Sequence, residues 1–279
     1  MKRYVIAAAA LLLCSVCARS SFPFKAALGL KDDRVVSIGA MMKDLGAADM
    51  VFIGEDHGSQ LDHKAQLEVI RELKKKGQDV AVGLEMFRAE DQRYLDQWTE
   101  GSLDTQSFLK IYYDNWRIPW PLYQDIFLFI KEKKIPVIGL NVPDAITEKV
   151  SKKGFGALSR EELKQLPPGI SCNVDPAYME FIRRAYGAHG HGGGSFANFC
   201  EAQMVWDKAM AWHLIEYKKK HPARRLVVLA GSGHSWKPGI PSHVGQDSGF
   251  SFRVVLPSVP GLGGGQGISY SDADYLLLE

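Results

Sequence analysis

Short apolar runs alternate with amphipathic helical patterns along most of this chain, and this alternation restricts its fold more than any other feature. The runs have four to six residues, the length of a buried strand. Helical spacing over residues 59–76, ending before Gly77, and again over 121–134, separates the runs. Strand and helix in this order predict an α/β fold with a mostly parallel sheet flanked by helices. The predicted strands are Met50–Gly54, Val80–Leu84, Ile135–Leu140, Leu226–Ala230, Phe252–Leu256 and a final short strand at Tyr275–Leu278.

Two longer segments interrupt this order, and each directly follows a predicted strand. Residues 88–120 contain two helical patterns, and residues 144–219 are almost entirely helical in pattern, with a long helix from about Ser195. Insertions in these places grow from the carboxyl edge of a parallel sheet, where they form lids or walls of ligand sites. The sequence therefore predicts one α/β domain over residues 30–279 with a mainly helical insertion, or lid, at that edge.

The carboxyl ends of four predicted strands carry side chains suited to chemistry. They are Glu55 and His57 after the first strand, Glu85 after the second, Asn141 after the third and His234 after the fourth. Because these ends converge in a parallel sheet, we expect the four ionisable side chains to share one crevice. Two histidines and two carboxylates suit a divalent metal and equally suit general acid–base catalysis. Taken singly, each residue has a simpler interpretation as a loop cap.

The long helical pattern places two polar residues on a stripe that is otherwise apolar. Gln203 and Asp207 lie one turn apart, on the same face as Met210. Two interpretations are open: the pair supports the strand-end residues, or it hydrogen-bonds the loops beneath the insertion.

A run of alternating glycine and histidine lies within the second insertion. It contains His189 and His191, and Tyr178 and Tyr186 flank it. Imidazoles bind transition metals or a haem iron, and tyrosinate is also a ligand of haem iron. The alternative interpretation is a flexible exposed loop that happens to contain histidine.

The amino terminus has the layout of a secretory signal. A basic start precedes an apolar run over residues 4–13, which is too short to span a membrane, and small residues follow. We predict a signal peptide over residues 1–17, and two forms of processing fit it: ordinary cleavage after Ala18, or lipidation of Cys17. The mature protein is then exported, either as a lipoprotein on the outer membrane or periplasmic face, or free in the periplasm.

Charge and cysteine content narrow the remaining possibilities. The formal net charge is +2, and the basic residues form no stripe interleaved with aromatics, so we expect no nucleic-acid partner. Once the signal is removed, the interior cysteines are Cys172 and Cys200. They either form a single disulfide or pack as unpaired apolar residues.

Several motifs occur together in one order between Val51 and Leu256. They are GEDH, GLEMF, NWRIPWPLYQDIFLFIKEKKIPVIGLNVP, AQMVWDKAMA and VVLAGSGH. In this combination the chain resembles the ChaN family of haem-binding uptake lipoproteins, within the superfamily of Tiki, TraB and erythromycin-esterase-like proteins. The resemblance implies an α/β fold with a helical insertion, an exported and usually lipid-anchored protein, and a role in iron acquisition. It also implies haem bound between the protomers of a homodimer, with an outer-membrane haem receptor as a further partner.

On this interpretation the helical insertion holds the haem. The iron ligand would be a tyrosine, preferably Tyr178 and otherwise Tyr186, or one of His189 and His191. Arg183 or Arg184 would pair with the propionates. We therefore predict a haem-binding protein of the bacterial cell envelope that takes part in haem and iron uptake.

The same resemblance implies an alternative function. Tiki-type relatives use the matching strand-end positions as the centre of a metal-dependent peptidase, and these positions fall here at Glu55, His57, Glu85 and His234. The alternative is thus a metal-dependent hydrolase, a peptidase or esterase, in which His57, Glu85 and His234 hold zinc or manganese.

Overall fold

The computed structural model describes residues 22–171, 173, 178–180, 182–183, 195–257 and 267–279. Its centre is one eight-stranded sheet. The strands are β1 (Ala26–Gly29), β2 (Arg34–Ser37), β3 (Met50–Glu55), β4 (Val80–Arg88), β5 (Val137–Asn141), β6 (Arg225–Gly231), β7 (Phe252–Leu256) and β8 (Tyr275–Leu278). Their order across the sheet is β2-β1-β8-β7-β3-β6-β4-β5.

Helices cover both faces of this sheet. They are α1 (Ile38–Leu45), α2 (Gln60–Lys75), α3 (Gln92–Glu100), α4 (Thr105–Asn115), α5 (Trp120–Lys133), α6 (Asp144–Lys153), α7 (Arg160–Leu163), α8 (Phe196–Lys220), α9 (Ser232–Ser235) and α10 (Ile240–Ser248). None of the helices within the described residues is long and apolar enough to cross a membrane.

The central strands run parallel, as the alternation of strands and helices predicts. β3 lies between β6 and β7, β4 lies between β5 and β6, and all of these pairs are parallel. All six residues of β3 are buried, which explains why the strand reads as a continuous apolar run. The predicted fold class is therefore confirmed, and the carboxyl ends of β3, β4, β5 and β6 meet at one edge.

The antiparallel part of the sheet was not predicted. β1 pairs with β2 and with β8 in antiparallel register, and β1 begins before residue 30, where we expected the domain to start. β1 and β2 have only four residues each, and most of β2 is exposed, so neither strand produces an apolar run in the sequence. Phe22 and Phe24 are already buried just ahead of β1.

Strand periodicity decides which side chains face which layer of helices. In β3, Val51 and Ile53 join the apolar cluster beneath α2 and α5, whereas Met50 and Phe52 join the cluster beneath α8 and α10. Successive side chains of a strand point to opposite faces. Continued to the strand end, this alternation places Glu55 on the α2–α5 face.

The side chain of Gln92 covers one edge of the sheet, at β5. Gln92 of α3 donates from Nε2 to the carbonyl of Val137 (2.7 Å), and its Oε1 accepts from the backbone N–H of Gly139 (3.0 Å). The amide thus occupies the place of a neighbouring strand along β5. This protects an edge that would otherwise present unpaired backbone groups.

Candidate functional site

Glu55 lies at the end of β3 with its side chain wholly buried. Its Oε1 accepts hydrogen bonds from His57 Nδ1 (2.8 Å) and from the Tyr123 hydroxyl, and its Oε2 lies 3.3 Å from His63 Nε2. Burial alone would raise the pKa of Glu55, but the imidazoles of His57 and His63 outweigh it and hold the pKa at about 2. Glu55 is therefore a fixed negative charge beneath the site.

His57 follows β3 and is the most accessible of the four ionisable strand-end residues, with 34% of its side chain exposed. Its ring meets Trp116 edge-on at 4.9 Å between centroids. A β-carbon on Gly231 would lie 3.1 Å from His57 Nε2 and 3.7 Å from Glu85 Oε2, so both atoms approach the same glycine. Burial lowers the pKa of His57, but the hydrogen bond with Glu55 and the charge of Glu85 raise it overall.

Glu85 occupies the corresponding place on β4. Its Oε2 accepts from the backbone N–H of Gly231 (2.6 Å), and its Oε1 lies 3.7 Å from His234 Nε2. The side chain of Asn141, at the end of β5, donates to the Glu85 carbonyl (3.0 Å) and so fixes the backbone at this strand end. Glu85 is thus the carboxylate that approaches both histidines.

His234 lies in α9, directly after β6, and its Nδ1 donates to Asp207 Oδ1 of α8 (2.7 Å). Asp207 is completely buried, and its Oδ2 accepts from the hydroxyl of Tyr178 (2.6 Å). Burial lowers the pKa of His234, but the negative charges of Glu85 and Asp207 outweigh this effect and raise the pKa to about 9. Trp206 packs edge-on against the imidazole at 5.8 Å.

These contacts define a strand-end cluster, which consists of Glu55, His57, Glu85, His234 and Asp207. The structure brings the four ionisable strand-end residues together and adds Asp207, whereas Gln203 is only half-buried on the same helix. Acids and imidazoles alternate through the cluster. Within the described residues, no group of three or more His, Cys, Asp or Glu side chains is arranged to hold a metal ion as it stands.

Sequence reasoning missed two residues that support this cluster. His63 of α2 is buried and packs its ring on Tyr123 of α5, with 4.0 Å between centroids. The burial of His63 could have been predicted, because it lies on the same helical stripe as Leu67 and Ile70 and so faces the core. Tyr123 lies in an aromatic-rich segment, where nothing in the sequence distinguishes its hydroxyl from those of its neighbours.

The haem-ligand predictions meet the described structure at Tyr178 and Arg183. Tyr178 is 5% exposed, and its hydroxyl donates to a carboxylate. This does not favour Tyr178 as the iron ligand, because a phenolate would lie beside the negative charge of Asp207. Arg183 is exposed, with its guanidinium 4.4 Å from the centre of the Phe196 ring and its Nε 3.6 Å from a carboxylate oxygen of Glu180.

Several predicted residues lie outside the described residues. They are Cys17, Cys172, Arg184, Tyr186, His189 and His191, together with the predicted signal peptide. Cys200 is described, and it is a free, buried thiol.

A groove of about 570 Å³ lies beside the cluster, between α8 and α10. We call it the α8–α10 groove. Its volume falls in the range of roughly 300–1,000 Å³ that is usual for small-molecule sites. Tyrosine, histidine and methionine side chains, the three types besides cysteine that ligate haem iron, all line it. Its walls include Tyr178, Met204, Lys208, Trp212, His243 and Asp247.

Comparison with known protein families identifies the chain. The family model described as haem-binding uptake, Tiki superfamily, ChaN matches residues 41–244, which is well over half of the sequence. The chain belongs to this ChaN family. The matched range includes the whole strand-end cluster and, in the α8–α10 groove, the residues from Tyr178 to His243. The resemblance inferred from the motifs is thereby confirmed.

Solved structures support the same fold. ChaN of Campylobacter jejuni, described with cofacial haem binding, is 20% identical, with 91% of this chain and 96% of that chain covered at a TM-score of 0.71. A mutant of the erythromycin esterase EreC in its open conformation is 12% identical, with 91% and 82% covered at a TM-score of 0.51. No curated protein matches the sequence. Because both sequence identities are low, the similarity of this chain to the two structures shows a shared fold only.

Proposed function

We propose that this protein binds haem in the bacterial cell envelope and takes part in haem and iron uptake. The observation that carries the proposal is the match to the haem-binding uptake family over residues 41–244. The fold shared with Campylobacter jejuni ChaN, for which cofacial haem binding is described, adds support. The α8–α10 groove gives the described part of the chain a cavity of suitable size.

The proposal includes export and assembly. A basic start, an apolar run and small residues support a signal peptide over residues 1–17, with Cys17 as the lipidated residue of a lipoprotein. Two haems face each other in a cofacial arrangement, and a homodimer supplies two copies of one site. An outer-membrane haem receptor is the proposed source of the cargo.

Haemin titration of the mature protein tests the proposal. We expect a saturable Soret band, with haemin bound more tightly than protoporphyrin IX, which has the same ring and propionates but no iron. The comparison separates ligation of iron from packing of the ring. Absence of saturable binding for both compounds would overturn the haem-binding proposal.

Single substitutions then assign the iron ligand. Tyr186→Phe, His189→Ala and His191→Ala each remove one ligand proposed from the sequence, and the true ligand is the one whose loss changes the Soret and charge-transfer bands. Tyr178→Phe should leave those bands unchanged, since the Tyr178 hydroxyl is bonded to Asp207. Substitutions at His57 and His234 should leave haem affinity largely unchanged.

A second function is favoured by one specific observation in the strand-end cluster. Each imidazole, His57 and His234, is bonded through Nδ1 to a buried carboxylate, while its Nε2 lies on the side of Glu85. Histidines that ligate metals are commonly oriented in this way by an outer carboxylate. His57, Glu85 and His234 would hold a zinc or manganese ion, which when bound supplies an activated water for hydrolysis of an ester or amide.

In this alternative the two glutamates would have different tasks. Glu55 is wholly buried behind His57 and would orient that imidazole rather than contact a substrate. Both raised histidine pKa values oppose metal binding, because a metal displaces the protons from the imidazoles. We therefore place the hydrolase second.

Metal analysis and hydrolysis assays on the purified protein decide between the two functions. Two results together would support the hydrolase: stoichiometric zinc or manganese that is lost in Glu85→Gln, and ester or amide hydrolysis that depends on that metal. Glu132→Gln should retain the metal, because Glu132 is an exposed residue of α5 and serves as the control. Protein that contains no metal and hydrolyses no substrate would remove it.

A further inference from the structure

We propose that a cavity at the β1–β2 end of the sheet binds a small molecule that carries a phosphate or carboxylate group. We call this cavity the β1–β2 niche. Its volume is about 460 Å³, within the range of roughly 300–1,000 Å³ that is usual for small-molecule sites. The described residues that line it are all different from those of the α8–α10 groove and of the strand-end cluster, so the inference goes beyond the haem-binding function.

The niche exists because the strands at this end of the sheet are short. β7 begins at Phe252, but β8 pairs with it only from Val255 onward, and β1 and β2 extend no further toward the amino edge than β8 does. The last turn of α1 supplies Asp44 to the wall of the resulting gap. Gly29 ends β1 beside the gap and has no side chain to fill it.

Two carboxylates that line the niche are already paired within the fold. Asp44 accepts hydrogen bonds from Arg253 Nε (2.7 Å) and Nη2 (3.0 Å), and from the hydroxyl of Tyr275 (2.8 Å). The hydrogen bonds from Arg253 lower the pKa of Asp44. Asp274 Oδ1 lies 2.9 Å from Lys237 Nζ, and its Oδ2 accepts a backbone N–H at 2.8 Å. Neither carboxylate is therefore left as an uncompensated negative charge.

Two basic side chains of the niche lack such a partner. Among the described residues, neither Lys31 nor Arg34 has a carboxylate within ion-pair distance, and both are exposed to solvent. Successive side chains of a strand point to opposite faces, so Arg34 and Val36 of β2 line the niche while Val35 points away from it. Asp32 is the remaining acidic residue of the lining. Two positive charges thus face a single negative charge.

This arrangement suits an oxyanion. A guanidinium binds a phosphate or carboxylate through two parallel hydrogen bonds, and a lysine adds a point charge. Lys31 and Arg34 are three positions apart, in and directly after the turn between β1 and β2, so both can reach one anionic group. The ring of Tyr275 lies 3.7 Å from the place of a β-carbon on Gly29 and offers an aromatic wall to the rest of the ligand. The same charges disfavour a metal cation.

Titration calorimetry of the full mature chain with sodium phosphate and with sodium citrate tests the niche. The ionic strength is held constant, because salt screens exposed charges. We expect saturable binding of at least one of the two anions. Binding of phosphate alone would assign the phosphoryl group, and binding of citrate alone would assign the carboxylate. Absence of saturable binding for both anions, or equal binding of sodium chloride, would overturn the proposal.

Substitutions in the niche then locate the binding. Arg34→Met should weaken it at least about tenfold, because two charge-assisted hydrogen bonds are lost. Lys31→Met should weaken binding several-fold, whereas Asp32→Asn should strengthen it slightly by removing a like charge. Gly29→Leu should abolish binding by filling the niche while every charge stays in place. Gly29→Ala should bind almost like the parent, since its β-carbon would meet no atom closer than 3.5 Å.

Lys43→Met is the matched control for the charge variants. Lys43 is an exposed lysine of the neighbouring helix α1 and lies outside the niche, so the variant should bind like the parent. Parental affinity in both Arg34→Met and Lys31→Met would overturn the location. If Gly29→Leu fails to fold, as judged by circular dichroism, Arg34→Met and Asp32→Asn decide through their opposite effects.

Discussion

The strand-end cluster and the α8–α10 groove lie on two sides of one side chain, Tyr178, and they are built in opposite ways. The cluster is buried except for part of His57, and each of its carboxylates lies within bonding or ion-pair distance of an imidazole. The groove is a cavity of about 570 Å³ between helices, lined by prolines, by Tyr178 and Trp212, and by several polar or charged side chains that lie along its walls. One region is fixed by hydrogen bonds, whereas the other is shaped by packing.

The difference shows where stability and binding reside in this fold. Removing one partner from a buried network leaves another group unpaired, so substitutions in the cluster should cost stability. Within the described part of the chain, groove residues such as Lys208 and Asp247 have no buried charged partner, and substitutions there should affect a ligand more than the fold. Four predictions test this contrast, from the largest expected effect to the smallest.

Glu55→Ala should be the most destabilising substitution, lowering the free energy of unfolding by about 3–5 kcal/mol. The substitution leaves the buried Tyr123 hydroxyl and His57 Nδ1 without their shared acceptor. Urea denaturation measures the effect, with Asp247→Ala in the groove as the control, for which we expect a change within about 0.5 kcal/mol. Equal losses for the two variants would show that the contrast between the regions is wrong.

Raising the pH should weaken the fold through His234. Its pKa is raised from 6.5 to about 9 in the folded protein, so the stabilisation is fully present below about pH 6.5 and is lost as the pH rises through about 9. The loss should be at most about 3 kcal/mol. Urea denaturation between pH 6 and pH 10 should show the decline in the parent and a flatter profile in His234→Gln. An unchanged profile in that variant would assign the decline to another group.

Gly231→Ala should destabilise the protein by about 1–3 kcal/mol, because the new methyl group meets the His57 ring at 2.9 Å. Gly233→Ala, two residues along the chain, is the matched control, since a β-carbon there has no neighbour within 4 Å. Thermal denaturation compares the two variants. Similar melting temperatures would mean that His57 moves aside freely and that the cluster is less rigid than we infer.

Tyr178→Phe should have the smallest effect, about 1 kcal/mol, since it removes one hydrogen bond and keeps the ring that separates the two regions. We expect the haemin spectrum to stay the same. A shifted Soret band at unchanged stability would return Tyr178 to the iron and merge the two regions into one site.

Some of these features could be predicted from the sequence because they depend on neighbouring residues. Strand β3 was predicted almost in full, since a strand buried on both faces is a continuous apolar run. β4 extends to Arg88, past the predicted end at Leu84, because buried Glu85 breaks the apolar pattern although the strand continues. Polar residues near the end of a buried strand therefore make the last residue of that strand difficult to predict from the sequence.

What the sequence by itself determined was the central parallel strands and the ionisable groups at their carboxyl ends, because both follow from local periodicity and from the shared edge of a parallel sheet. Only the tertiary structure decided the partners of those groups. Alternation along the strands turns Glu55 toward α2 and α5, where it meets Tyr123. On the other side of the sheet, Asp207 meets Tyr178, although the two residues are 29 positions apart in sequence. A hydrogen bond between distant residues leaves no pattern in the sequence around either of them. The Tyr178 hydroxyl, which the sequence suggested as an iron ligand, therefore donates to the Asp207 carboxylate, because tertiary packing brings these two residues together.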